Sequence, residues 1–151
     1  LLEYIKSTGK QYINTMVSEA NIDYIELEFE AQSDDGYMLV NGSTQVAISN
    51  YAYGTTTLNT RYKTKQELIG NRWYFTNITN GTTYTQPWAH GNGILYLFAL
   101  NVSSYRYYTK AKVYSFSCYA NNTLVCNFIP MRRYRRGRAP AHCRMSCRSS
   151  R

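Results

Sequence analysis

In "YIELEFE", Tyr24 to Glu30, the apolar residues Ile25, Leu27 and Phe29 alternate with Glu26, Glu28 and Glu30. A period of two places the apolar set on one face of a strand and the carboxylates on the other, so the segment predicts a half-exposed β-strand. "GILYLFAL", Gly93 to Leu100, is apolar at every position after its glycine. Its length and the flanking Gly91-Asn92-Gly93 and Asn101 predict a central strand covered on both faces. "KVYSFSCYANNTLVCNFIP" predicts a hairpin, with Asn121-Asn122 adopting the positive φ angles of a tight turn. Ala120 then faces Thr123, Cys118 opposes Val125 and Cys126 opposes Ser117. In that register the two cysteines point to opposite faces and no disulfide joins them, a result that a slip of one residue reverses.

Turn chemistry recurs about every ten residues: Ser7-Thr8-Gly9-Lys10, Ser33-Asp34-Asp35-Gly36, Asn41-Gly42, Asn80-Gly81, Gly91-Asn92-Gly93 and Asn121-Asn122. Between the turns, 16 tyrosines with many Thr, Ile and Val suit pleated, half-buried surfaces. No segment has convincing helical amphipathicity. The expectation is an all-β sandwich or barrel built as one domain over residues 1–130, followed by an Arg-rich tail over residues 131–151.

Charge enforces that division. The net +8 is not spread over the chain. Residues 1–130 carry nine bases against all nine acids, whereas residues 131–151 hold eight arginines and no acid. The domain is neutral, so the tail alone would seek a polyanion, and a specific nucleic-acid partner is not expected. No run approaches the roughly 20 apolar residues of a membrane-spanning helix, so no membrane insertion is expected. The opening Leu1-Leu2-Glu3, without an initiator methionine, is expected of a piece of a longer polypeptide that has flanking domains.

"LEYIKSTGKQYINT" (Leu2 to Thr15), "LYLFALN" (Leu95 to Asn101), "AKVYSFSCY" (Ala111 to Tyr119) and "NTLVCNFIP" (Asn122 to Pro130) resemble a concanavalin A-like, LamG-like jelly-roll module. Such modules occur in phage tail and receptor-binding proteins and in surface proteins of gut bacteria. The resemblance spans residues 2–130 and implies two antiparallel sheets packed face to face, with Leu2 to Ile5 and Tyr12 to Ile13 near the final hairpin. After Phe128-Ile129-Pro130 the family continues into an Asp-Gly turn and a Gly-x-Tyr-Asp strand. Here "MRRYRRGRAPAHCRMSCRSSR" follows instead, so residues 134–151 are expected to be a disordered or frame-shifted extension.

Candidate chemistry is sparse. Glu26, Glu28 and Glu30 resemble the Glu-x-Asp-x-Glu strand of laminarinase-like glycosidases, but Glu28 stands where that pattern has Asp, and the solvated face of a strand explains three alternating glutamates more simply. No enzyme is expected. His142, Cys143 and Cys147 lack a fourth zinc ligand, and Asp34-Asp35-Gly36 has the pattern of a hairpin turn, so neither a metal nor a cofactor is expected. The aromatic excess remains. Tyr and Trp can lie against a sugar ring while their polar edges meet its hydroxyls. Candidates are Tyr51 and Tyr53 in "NYAYG", Trp73 and Tyr74 in "NRWYF", Tyr84 and Trp88 in "TYTQPWAHG", and Tyr105, Tyr107 and Tyr108 in "SSYRYYTK". Trp88 is favoured because Pro87 and Gly91 predict a loop around it. The sequence therefore predicts a non-catalytic module that attaches to a cell-surface glycan from a virion or bacterial surface. A structural spacer of a tail protein and, less favoured, a glycosidase are the alternatives.

Overall fold

A computed structural model describes residues 3–33, 37–41, 47–49, 57–89, 91–102, 105–128 and 130. The described residues are nearly all strand: β1 (Ile5–Thr8), β2 (Ile13–Ser18), β3 (Tyr24–Ala31), β4 (Tyr37–Asn41), β5 (Ala47–Ser49), β6 (Arg61–Ile69), β7 (Arg72–Asn77), β8 (Thr83–Ala89), β9 (Ile94–Leu97), β10 (Ala99–Val102), β11 (Tyr105–Tyr108), β12 (Lys110–Ala120) and β13 (Thr123–Phe128). A 3-10 turn, Glu19–Asn21, follows β2.

Every pairing is antiparallel. The large, seven-stranded sheet runs β1, β12, β3, β6, β7, β8, with β13 also on β12. Because β1 pairs with Lys110 to Val113 and β13 with Phe116 to Ala120, the two strands share one side of β12 end to end, opposite β3. A four-stranded sheet runs β2, β9, β4, β5, and β10 pairs with β11 in a separate ribbon. One apolar core joins the two main sheets: Ile25, Leu27, Phe29, Trp73, Phe75, Val113, Phe116 and Phe128 come from the large sheet, and Val17, Leu95 and Leu97 from the smaller. These are the inward members of alternating strands, and burying such side chains supplies the main stabilising term. The all-β, antiparallel sandwich expected from the sequence is the observed architecture. The Arg-rich tail, 131–151, lies outside the described residues.

Three local expectations are corrected. "GILYLFAL" is not one strand. Phe98 takes a left-handed conformation (φ 68°), which ends β9 and starts β10 in a different ribbon. The unbroken apolar run thus records a kink that moves Phe98 and Ala99 both into the core, while β9 itself alternates between buried and partly buried positions. In the final hairpin, Asn121 and Asn122 do adopt positive φ (48° and 62°) and Ala120 does face Thr123. A bulge at Val125 then shifts the ladder by one, so Cys118 pairs directly with Cys126 rather than with Val125. Third, Ile13 begins β2 in the smaller sheet, paired with Leu97, so only the first part of the opening segment lies beside the final hairpin, as β1.

Candidate functional site

Among the candidate aromatics, Trp73 is corrected outright. Its side chain is 0% exposed, and its indole Nε1 donates to Glu19 Oε1 at 2.8 Å. It sits at an inward position of β7, so its ring meets the core and no solvent-borne ligand. The same carboxylate oxygen accepts the Gly91 amide at 2.9 Å, while the Glu19 amide donates to the Gly93 carbonyl at 2.9 Å. Buried Glu19 therefore ties the β8–β9 connection to the core, because an acceptor inside a protein is held by the donors that replace its water.

Trp88, expected in a loop, belongs to β8. Thr85 pairs with Tyr74 and Ala89 with Arg72, so Gln86, Pro87 and Trp88 together oppose Trp73 in a bulge. Since β8 borders the sheet, Pro87 costs no ladder hydrogen bond on its outer side. Tyr84, cross-strand from Phe75, is 37% exposed at the rim. The backbone of Tyr107 lies in β11. Tyr51 and Tyr53 lie outside the described residues.

The structure gathers a set that the sequence did not assemble. Cross-strand partners share a face. On the outward face of the large sheet the register aligns Leu124, Tyr119, Tyr24, Glu67, Tyr74 and Thr85 in one row across six strands. At the spacing of adjacent strands, five steps make this row about 24 Å long, with Tyr24 and Tyr74 about 10 Å apart. Tyr24 and Tyr119 meet edge to face, centroids 5.5 Å apart at 72°. Tyr24, Tyr74 and Tyr119 are each partly open to solvent, and Leu124 is 46% exposed. The next row carries Asn127, Ser117, Glu26, Lys65, Thr76 and Thr83, a line of hydrogen-bonding groups beside the rings. Of the three charged residues in the two rows, Lys65 pairs with Glu67, its Nζ 2.6 Å from the carboxylate, and Glu26 leaves the rows with one more acid than base. Tyr24 donates to Glu26 Oε1 at 3.1 Å, and burial together with that carboxylate pushes its phenol up to about 12. Tyr24 therefore remains a neutral hydroxyl at physiological pH.

The other end of the same face is built differently. Lys6, Lys112, Glu30 and Arg61 form its row. A bulge between Val113 and Ser115 turns Tyr114 outward, where its hydroxyl donates to Glu30 Oε2 at 2.9 Å and its ring lies 3.9 Å from the Arg61 guanidinium carbon. Lys112 donates to Glu30 Oε1 at 2.8 Å and lies over Tyr4, while Arg61 bonds Glu28 at 2.8 Å. The Lys112 hydrogen bond holds the Glu30 carboxyl below the usual carboxylate range despite burial, and the Tyr114 and Gln32 donors add to it. Glu26, Glu28 and Glu30 are thus not on a sheet edge: β3 lies between β12 and β6, and its glutamates stand opposite Lys65, Lys63 and Arg61.

Tyr24 and Tyr119 belong to strands β3 and β12, outside the stretches that hold the sequence's candidate aromatics. The available signal was phase: Tyr24 shares its parity with Glu26, and Tyr119 is out of phase with Cys118. Within "NRWYF" the same parity separates Trp73 from Tyr74, but it cannot say which of the two faces water.

Comparison with protein-family models finds no match to this chain, and comparison with curated proteins finds none. No group of three or more His, Cys, Asp or Glu suited to a metal ion occurs among the described residues, and no described helix is long and apolar enough to cross a membrane.

Proposed function

We propose that this module binds a neutral glycan chain on the outward face of its large sheet, without catalysis, as part of a larger virion or bacterial surface protein. The single observation behind this proposal is the row of Tyr119, Tyr24 and Tyr74 with the hydroxyl, amide and paired-charge row beside it. Aromatic plates spaced along a line meet the apolar faces of successive sugars, and adjacent donors and acceptors meet their hydroxyls. Because Lys65 is already paired with Glu67 and Glu26 adds a carboxylate with no second base in the two rows, the face favours an uncharged polysaccharide over a polyanion. The jelly-roll resemblance supports the same class of activity, as a likeness of fold and not of site.

A glycan array tests the proposal, with wild type, Tyr74→Ala and Trp88→Ala run in parallel. Binding that falls about tenfold, on the order of 1.4 kcal/mol, in Tyr74→Ala and stays in Trp88→Ala is the expected result. Loss confined to Trp88→Ala would move the site to the rim of the sandwich. A blank array for the parent polypeptide would favour a structural spacer, and release of reducing sugar from a bound β-glucan would make the module a glycosidase.

A further inference from the structure

The final hairpin holds a pair of groups that glycan binding does not use. The Val125 bulge sets Cys118 and Cys126 directly across from each other, and both side chains, 0% and 1% exposed, point into the core. The structure holds both as thiols. Directly opposed residues of an antiparallel pair have Cα atoms about 4.5 or 5.5 Å apart, according to which kind of pair they form, and both separations fall within the span a disulfide bridges. Without the bulge the sulfurs would lie on opposite faces and could never meet. Around them are Ile25, the partner of Cys118 on β3, and the next inward pair, Phe116 and Phe128.

From this register we infer that Cys118 and Cys126 form a redox-convertible site: two buried thiols under reducing conditions, and one cross-strand disulfide once the module meets a small-molecule disulfide oxidant. One cysteine thiolate attacks the oxidant's sulfur–sulfur bond and expels one small thiolate, leaving a mixed disulfide on the protein. The second cysteine thiolate attacks the protein sulfur of that mixed disulfide and expels the second small thiolate. The two protons lost by the cysteines end on the two expelled thiols, so the protein loses two hydrogens and the oxidant is reduced by two electrons.

Burial sets the route. The oxidant does not reach sulfurs that lie in the core, so attack waits for the hairpin to open. The topology provides the opening, because β13 hydrogen-bonds to β12 alone among the described strands. Edge elements of this kind separate at lower free energy than central ones. Closing the bond then fixes β13 to β12 and constrains the unfolded chain between residues 118 and 126. The physiological effect is a hairpin that tightens on export into an oxidising medium, where such bonds persist.

The test uses the full chain, folded under reducing conditions, exposed to excess oxidised glutathione, blocked with an alkylating agent and mapped by mass spectrometry without reduction. The expected product is a peptide joining Cys118 to Cys126 and lighter by two hydrogens. It should come with a melting temperature several degrees above that of the reduced protein and amide exchange over Thr123–Phe128 slowed at least tenfold. A Cys143→Ser/Cys147→Ser double variant should give the same product, which separates this bond from exchange with the tail. Recovery of both hairpin cysteines alkylated or singly glutathionylated overturns the inference. So does a bond from either of them only to Cys143 or Cys147, or a 118–126 bond that lowers the melting temperature.

Discussion

The two ends of the outward face of the large sheet use tyrosine in opposite ways. At the Glu30 end, Tyr4 and Tyr114 cover cations that the protein itself supplies, Lys112 and Arg61, and the carboxylates of Glu28 and Glu30 are spent on the same bases. At the Tyr24 end the rings stand in line with no cation from the described residues over them, and the Lys65–Glu67 ion pair lies within the platform. Both ends are built on β12, β3 and β6, which run through the two rows. The difference comes from which residues the register places opposite one another, and it separates a surface whose cations and carboxylates meet each other from the one proposed to meet a ligand.

The comparison is sharpened most strongly just beneath the tyrosine row. Trp73→Ala should destabilise the fold by about 3–5 kcal/mol, because it empties a core site and leaves the Glu19 carboxylate short of a donor. Urea unfolding measures the loss. A variant near wild-type stability would show that Trp73 is not the core residue described above. Its neighbour Tyr74, on the opposite face, should change stability by no more than about 0.5 kcal/mol when replaced by alanine.

At the ionic end, Glu30→Gln should cost about 1–3 kcal/mol near neutral pH, since Lys112 and Tyr114 lose a charged acceptor, and it should leave glycan binding unchanged. The pH dependence has a defined sign. The folded-state pKa of Glu30 is lowered from 4.5, so its contribution is fully present above that unfolded value and is lost as pH falls through the lower folded value. Unfolding curves of wild type and variant should therefore converge in acid, and a gap that persisted unchanged there would remove the ion pair as its cause.

A smaller effect of opposite sign is expected at Gln66, between Lys65 and Glu67 on β6 but pointing inward. Its amide is fully buried, and among the described residues neither its nitrogen nor its oxygen has a hydrogen-bond partner. Gln66→Leu should raise stability by about 1 kcal/mol by removing an unsatisfied polar group. Destabilisation would mean that the amide has an internal partner. Smallest of all, Tyr24→Phe should remove from an ultraviolet titration one phenol that ionises at about 12. A loss from the ordinary tyrosine range would place Tyr24 outside the influence of Glu26.

The large-scale fold was legible where alternation was clean and a turn was chemically marked. "YIELEFE" gave both faces of β3, and Asn121-Asn122 gave the turn of the final hairpin. Single-residue departures were not legible. Nothing in the type of Phe98 announces a left-handed backbone, which bulky residues rarely adopt, and Val125 gives no sign of the bulge that reverses the cysteine register. The candidate site was legible only as an excess of tyrosine. Which rings join is set by pairing between strands distant in sequence, β12 with β3, β3 with β6 and β6 with β7. That pairing decides that Tyr119, Tyr24 and Tyr74 share a row, while Trp73 beside them is lost to the core.

The most direct test of the platform is backbone amide chemical-shift mapping with a soluble oligosaccharide of a bound polysaccharide. Shifts concentrated at Tyr24, Lys65, Glu67, Tyr74, Thr76, Ser117 and Tyr119, with Glu30, Arg61 and Lys112 unmoved, are the predicted result. Shifts gathered instead at Trp88 and Gly91, or at the Glu30 end of the sheet, would contradict it.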